Sequence, residues 1–207
     1  MERKSTTSAA SPATAPIIPS HGLAWLWQHL QDVRQPHFLD CGAISPATLN
    51  ILLRRNAKVF VADLITPAVE GDPTFWDRSR KKAEFLPRSF LGQLPAIPAG
   101  SLSAILSWNL LDLLPHEALP AVAKHLFSLL NPSGVLLCIL REPYLHQGVG
   151  RRWWLDDVTS YRSETVEERA FPYPPITNRE MENLVPGSIK IFLTRSGRRE
   201  MLATKQP

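Results

Sequence analysis

The sequence predicts an α/β fold: a doubly wound, mostly parallel seven-stranded sheet with a C-terminal antiparallel hairpin. Three observations predict it. Two short apolar segments, Pro36–Gly42 and Lys58–Leu64, each run into an acid and flank a helix with a strong start signal. Strand-like and helix-like periodicities then alternate as far as Leu140. The last regular stretch turns back on itself at Ser196-Gly197. Alternation gives parallel strands with helical crossovers, and the closing hairpin adds an antiparallel edge.

The elements follow in chain order. Leu23, Leu26, Trp27, Leu30 and Val33 recur at helical spacing after Ser20, an N-cap candidate, so a first helix is expected over 21–33. Trp25 and Trp27 lie about 200° apart on that helix and cannot share a face. The strand Pro36–Gly42 comes next, then Ser45-Pro46, with serine at the N-cap and proline at the first helical position. Leu49, Leu52 and Leu53 form the apolar face of this second helix, and Arg54-Arg55 suit its C-terminal dipole end. The strand Lys58–Leu64 completes a β-α-β unit, which requires a right-handed crossover.

Asp72-Pro73 predicts a helix running through Phe75-Trp76 to Lys82, and Ala83–Leu86 a third strand. Ala104–Trp108 is the fourth strand, entered through Pro98-Ala99-Gly100-Ser101. Leu119, Val122, Ala123, Leu126, Leu129 and Leu130 form one helical stripe that Asn131-Pro132-Ser133-Gly134 stops. Val135–Leu140 is apolar throughout, as a strand covered on both faces must be. Regular patterning then lapses, and 141–176 is expected to be a lid or insert. Thr177-Asn178-Arg179-Glu180 matches a capping box opening a helix through Leu184. Ile189–Thr194 and Glu200–Thr204 form the terminal hairpin.

Composition narrows the function classes. A chain of 207 residues, 44% hydrophobic and 20% charged, buries an ordinary core without metals or disulfides. The expected organisation is a disordered tail over 1–20, poor in residues that pack, and one domain over 21–207. The net charge of +4 is shared evenly between residues 1–140 and 141–207, so neither part is a basic arm. The clusters Arg78–Lys82 and Arg195–Arg199 read as solvated surface, not as a nucleic-acid footprint. Cys41 and Cys138 sit inside apolar strands, which suits reduced thiols and a cytoplasmic protein. No cysteine or histidine pair has zinc-ligand spacing, and no apolar run spans a bilayer, so neither a metal nor a membrane partner is expected. The residue that stands out is glycine: there are 10, against 19 prolines, and any glycine-rich phosphate loop has to be found among those few.

On three segments, Pro36–Leu64, Ser101–Pro115 and His125–Leu140, the chain resembles the class I S-adenosylmethionine-dependent methyltransferases, which have a Rossmann-like fold. The resemblance covers most of the expected domain. It rests on an acid-x-Gly loop after the first strand, an acid ending the second, a Pro-x-Gly turn before the fifth and the reversed hairpin. It implies S-adenosyl-L-methionine as cofactor and methyl transfer to an unidentified acceptor, a small molecule or a macromolecule. The residues it implies at the cofactor are Asp40, Gly42, Ala43, Asp63, Leu64, Phe90, Trp108 and Asn109. Gly42 lets backbone approach the cofactor closely. The Ser45-capped helix end faces the methionine carboxylate, and Asp63 accepts from ribose hydroxyls. Phe90 stacks on adenine, while Trp108 and Asn109 lie at the methionine end.

Each of these positions also has a plainer role: strand ending for Asp40 and Gly42, helix capping for Asp63, core packing for Trp108. Arg151, Trp153, Trp154 and Tyr173 are substrate-side candidates or packing over the sheet edge. Asp112 reads as an N-cap rather than a catalytic base, and the catalytic residue is left unassigned. The family loop reads acid-x-Gly-x-Gly-x-Gly, whereas here only its first glycine is present, with Ile44 and Pro46 at the others. The acid that reads the adenine amine is missing from Pro87–Phe90. This degenerate glycine motif leaves two readings: a transferase, or an inactive binding or scaffold module on the same fold. RNA modification would use Arg151 and Arg152. A dinucleotide-dependent oxidoreductase lacks its phosphate loop here.

Overall fold

The computed structural model describes residues 15–79, 83–142, 150–167, 173–194 and 197–206. Strand β1 is Ile17–Pro19 and helix α1 is His21–His29, whose first turn is capped by the Ser20 hydroxyl accepting from the Leu23 N–H. The helix ends a turn before the expected 33. Strand β2 is His37–Asp40, helix α2 Pro46–Arg54 and strand β3 Lys58–Val61. The Ser45 hydroxyl caps α2 and Pro46 stands in its first turn, as the sequence predicts.

Helix α3, Ile65–Glu70, has no counterpart in the sequence reading. Its signals were present: Pro67 in its first turn, and Gly71 closing it in the left-handed region at φ 67°. The helix expected from Asp72 to Lys82 is instead one 3-10 turn over Pro73–Phe75, followed by strand β4, Trp76–Asp77. Asp72 does cap that turn, through Thr74 N, but the next residues turn to strand because β5, Glu84–Phe85, pairs with them. Residues 80–82 of the expected helix and of the basic cluster lie outside the described residues.

Helix α4 is Pro87–Leu91, strand β6 Leu102–Trp108, helix α5 Leu119–Leu129 and strand β7 Leu130–Arg141. All seven residues of β6 are buried, because the strand is covered on both faces. Strands β8, Gly150–Asp157, and β9, Ser160–Glu167, form an antiparallel hairpin. Helix α6, Asn178–Leu184, carries the predicted capping box, with Thr177 and Glu180 bonding reciprocally. Strands β10, Gly187–Leu193, and β11, Arg198–Lys205, close the chain.

The main sheet has the order β10-β11-β7-β6-β2-β3. Pairings β3-β2-β6-β7 are parallel, while β11 is antiparallel to both its neighbours. The doubly wound, mostly parallel core with a reversed closing hairpin is therefore as expected, but the sheet has six strands and not seven. The expected third strand, 83–86, leaves the main sheet and pairs with β4 as a separate ribbon. Its paired stretch is only two residues long, Glu84–Phe85, too short to compete for the β3 edge.

The largest revision concerns 141–176. Where no regular pattern was expected, β9 joins β8 to β1 in a second, three-stranded sheet. The same pairing takes Ile17–Pro19 out of the expected tail, since Ile18 lies opposite Tyr161. Residues 1–14, 143–149 and 168–172 lie outside the described residues, so most of the tail expectation and part of the insert expectation do too. This small sheet sits against the first turn of α2, where Leu155 N–H donates to Thr48 Oγ1 at 3.0 Å. It thereby stands over the carboxyl ends of the parallel strands.

Candidate functional site: a crevice closed by two tryptophans

In a doubly wound sheet the ligand crevice opens at the carboxyl ends of the strands, where the strand order reverses. Here that point lies between β2 and β6, since the chain passes from β2 outward to β3 and then crosses back to β6. Asp40 ends β2 there and is 2% exposed. Its Oδ1 accepts from the Gly42 N–H at 2.9 Å and from the Trp108 Nε1–H at 2.7 Å. Burial drives the Asp40 pKa up to about 6, against these two bonds, which lower it.

Trp108 reaches Asp40 because β6 is irregular at its end. The β6–β7 register slips between Leu106 and Trp108, and Trp108 takes φ 49°. Such a bulge re-aims a side chain. A bulky residue in the left-handed region costs on the order of 1–2 kcal/mol, so the site holds Trp108 against strain. The indole lies fully buried over Gly42: a Cβ built on that glycine would sit 3.1 Å from Trp108 Nε1 and 3.2 Å from Asp40 Oδ1.

Trp153, from β8, stacks on Trp108 with ring centroids 6.3 Å apart and planes 7° from parallel. Its Nε1–H donates to Asn109 Oδ1 at 2.7 Å. Tyr161 of β9 meets both indoles edge-on, at 6.3 Å and 5.5 Å. The Arg198 guanidinium lies 5.5 Å from the Trp153 ring centre. The second sheet thus plugs the crevice with aromatic side chains.

The remaining predicted residues divide. Gly42 and Ala43 line a cavity of about 210 Å³, with Arg151, Arg152 and Trp153 on its insert side and Ile65, Thr66, Val69 and Glu70 of α3 opposite. Asp63 Oδ1 accepts from Thr66 N at 2.9 Å, at the start of α3. Leu64 is fully buried and its N–H donates to the Cys41 carbonyl. Phe90 is fully buried between Phe75 and Phe85, in edge and tilted contacts, so its faces meet core and not a crevice.

Arg151 Nη1 donates to Ser163 at 2.9 Å, and its buried Nε has no hydrogen-bond partner among the described residues. Arg152 is exposed and 3.4 Å from Glu164. Trp154 is 7% exposed. Tyr173 contributes a carbonyl that accepts from Arg141, as part of a different network. Asp112 is not the expected N-cap, because Ala118 holds that place before α5. It is buried, accepts from the Arg141 N–H at 2.7 Å and pairs with the Arg141 side chain at 3.2 Å. Ile44, a glycine position in the family loop, is 70% exposed. Sequence reasoning missed Thr48, the anchor of the insert. A hydroxyl in the first turn of an apolar helix was the available signal.

No family model and no curated protein sequence matches the chain. Solved structures do resemble it. A Burkholderia thailandensis 1,6-didemethyltoxoflavin-N1-methyltransferase, with 1,6-didemethyltoxoflavin and S-adenosylhomocysteine bound, is 16% identical at TM-score 0.48, over 90% of this chain and 77% of that one. A Methanosarcina mazei S-adenosylmethionine-dependent methyltransferase is 15% identical at TM-score 0.44, over 88% and 97%. One from Mesorhizobium loti is 12% identical at TM-score 0.42, over 88% and 96%.

Proposed function

We propose that this chain is a methyltransferase-like binding module, whose cofactor crevice is closed by its own aromatic side chains, and not an active transferase. The carrying observation is the Trp108 Nε1–Asp40 bond, with Trp153 stacked on the same indole. The residues present do not fit S-adenosyl-L-methionine. The space over Gly42, where close backbone approach would matter, holds the Trp108 indole. The neighbouring cavity, at about 210 Å³, falls below the roughly 300 Å³ at which ligand pockets begin. Phe90 is walled into the core.

Residues 21–207 are read as one domain in which 141–176 is an insert that closes the crevice. The buried, reduced Cys41 and Cys138 suit a cytoplasmic setting. Among the described residues, no helix is long and apolar enough to cross a membrane.

The second reading is an S-adenosylmethionine-dependent methyltransferase acting on an unidentified small molecule or macromolecule. It is favoured by two acids, Asp40 and Asp63, at neighbouring strand ends beside the capped start of α2. Calorimetry with S-adenosylmethionine and S-adenosylhomocysteine separates the two. The binding-module reading expects no association tighter than about 1 mM for either. A dissociation constant below about 100 µM for the unaltered protein would overturn it and establish the transferase site.

A further inference from the structure

Two arginines meet at the seam between the second sheet and the main one. Arg151 shares a face of β8 with Trp153 and Leu155, because strand residues two apart point the same way. Trp153 and Leu155 are buried against the main domain, so Arg151 is an inward-facing cation at the end of that row. Arg198 opens β11, and its guanidinium stands over the same Trp153 ring. The sequence places Arg198 and Arg199 in a solvated basic cluster, but here Arg198 is half-buried and Arg199 is 1% exposed.

Neither arginine has a counter-ion. Among the described residues, no carboxylate lies within ion-pair distance of either guanidinium. The neighbouring acids are engaged elsewhere: Asp112 by Arg141, Glu142 by Arg199, Glu164 by Arg152 and Glu200 by the Gly22 N–H. Arg151 Nη1 donates to Ser163, which stands opposite Trp153 in the β8–β9 register. Arg151 Nη2 and the Arg198 guanidinium nitrogens bond to no described residue and, unlike Arg151 Nε, keep accessible surface. Donors therefore remain that an incoming group can reach. Burial lowers the pKa of both arginines, and the Arg198 charge lowers that of Arg151 further. Tyr161 and Asp112 offset part of this at Arg198. Two partly desolvated like charges carry a penalty that a bound anion would relieve.

We infer that this seam binds a phosphate group, free or as a small phosphate monoester, with Arg151 Nη2 and the Arg198 guanidinium donating to its oxygens. A guanidinium presents its donors in a planar fork that matches an oxyanion. A phosphate monoester carries about −1.5 to −2 charge at pH 7 and so matches two cations, whereas a carboxylate or a sulfate ester brings a single charge. Access comes from the cavity beside Gly42, because Arg151 and Trp153 both line it. That cavity is too small for S-adenosyl-L-methionine but leaves room for a single phosphate group. Glu70, the acid in its lining, is exposed on the opposite wall, so the positive charge lies on the insert side. The pair belongs to β8 and β11, outside the Asp40–Trp108 contact, and the inference stands whichever reading of the crevice holds.

The test titrates the full chain with inorganic phosphate, phenyl phosphate and phenyl sulfate, by calorimetry and by the NMR shift of the Trp153 Nε1–H. Phosphate is expected to bind at about 1 mM or tighter, and the tighter of the two phosphate probes tells ester from free ion. Phenyl sulfate is expected to bind at least about fivefold more weakly than phenyl phosphate. This comparison in the unaltered protein does not depend on any variant folding. Arg151→Gln and Arg198→Gln are each expected to lose about tenfold in phosphate affinity, with their unfolding midpoints measured alongside. Arg88→Gln, exposed on α4, removes the same charge elsewhere and is expected to stay within about twofold of the unaltered protein. Equal binding of phosphate and sulfate esters, unchanged affinity in either folded seam variant, an equal loss in Arg88→Gln, or no phosphate binding at about 20 mM would each overturn the proposal.

Discussion

Replacing Asp40 with Asn tests whether the closed crevice is organised around a buried carboxyl group. Asp40 is 2% exposed, and burial lifts its pKa from the ordinary 3.8 to about 6. The bonds from Gly42 and Trp108 work in the opposite direction, and the Asp63 charge adds a smaller upward push. A carboxyl whose native pKa is raised holds its proton more tightly in the folded state than in the unfolded one. Its contribution to stability is therefore greatest below pH 4, falls between about pH 4 and pH 6, and is level above. A shift of about two units corresponds to roughly 3 kcal/mol lost across that window. Asparagine keeps an Oδ1 acceptor for both donors and never ionises. Urea unfolding at intervals from pH 4 to pH 8, fitted with a common m-value, reads the difference. The gap between variant and wild type should move in the variant's favour by about 3 kcal/mol from the acid end to the neutral end. Parallel pH profiles for the two proteins would refute the placement of Asp40 as a desolvated acid under Trp108.

Three further outcomes follow from the packing. Trp153→Ala removes the stack on Trp108 and the bond to Asn109, and should cost about 3–5 kcal/mol in denaturant unfolding. Gly187→Ala should fail to fold cooperatively by calorimetry, because its Cβ would collide with the Thr204 carbonyl oxygen in the β10–β11 pair. Thr177→Ala breaks one arm of the α6 capping box and should lower stability by about 1 kcal/mol, a modest change in unfolding midpoint with native far-UV dichroism retained.

What the sequence disclosed and what it withheld divide along a physical line. Local signals were legible: Ser45-Pro46, the Thr177–Glu180 box and the all-apolar β7 each act within a few residues and formed as read. Pairing between distant segments was not legible. Leu86 and its neighbours look like sheet, yet which partner they take depends on β4, whose own strand character is two residues long. The insert lacked visible periodicity because β8 packs its aromatic residues against the main domain while β9 pairs on its other side with β1. The same limit applies to the site. Asp40 ends β2 and accepts from the Gly42 N–H, a short-range placement that the sequence shows. That Trp108, 68 positions beyond Asp40, supplies the other donor depends on a bulge no local pattern announces.

The scarcity of glycine and the position of Trp108 are two parts of one change. A loop that must let a cofactor approach needs residues without Cβ; a loop capped by an indole needs only the one directly beneath the ring, and Gly42 is that residue. Ile44, where the family loop has a second glycine, is 70% exposed. The tryptophan is not there by default. Its left-handed backbone works against it by about 1–2 kcal/mol. Burying an indole of about 200 Å² returns roughly 5 kcal/mol, and the Asp40 bond and Trp153 stack add to that. A crevice merely emptied of function would have no reason to hold a strained residue. This one is closed by an arrangement in which bulge, hydrogen bond and stacked insert support each other.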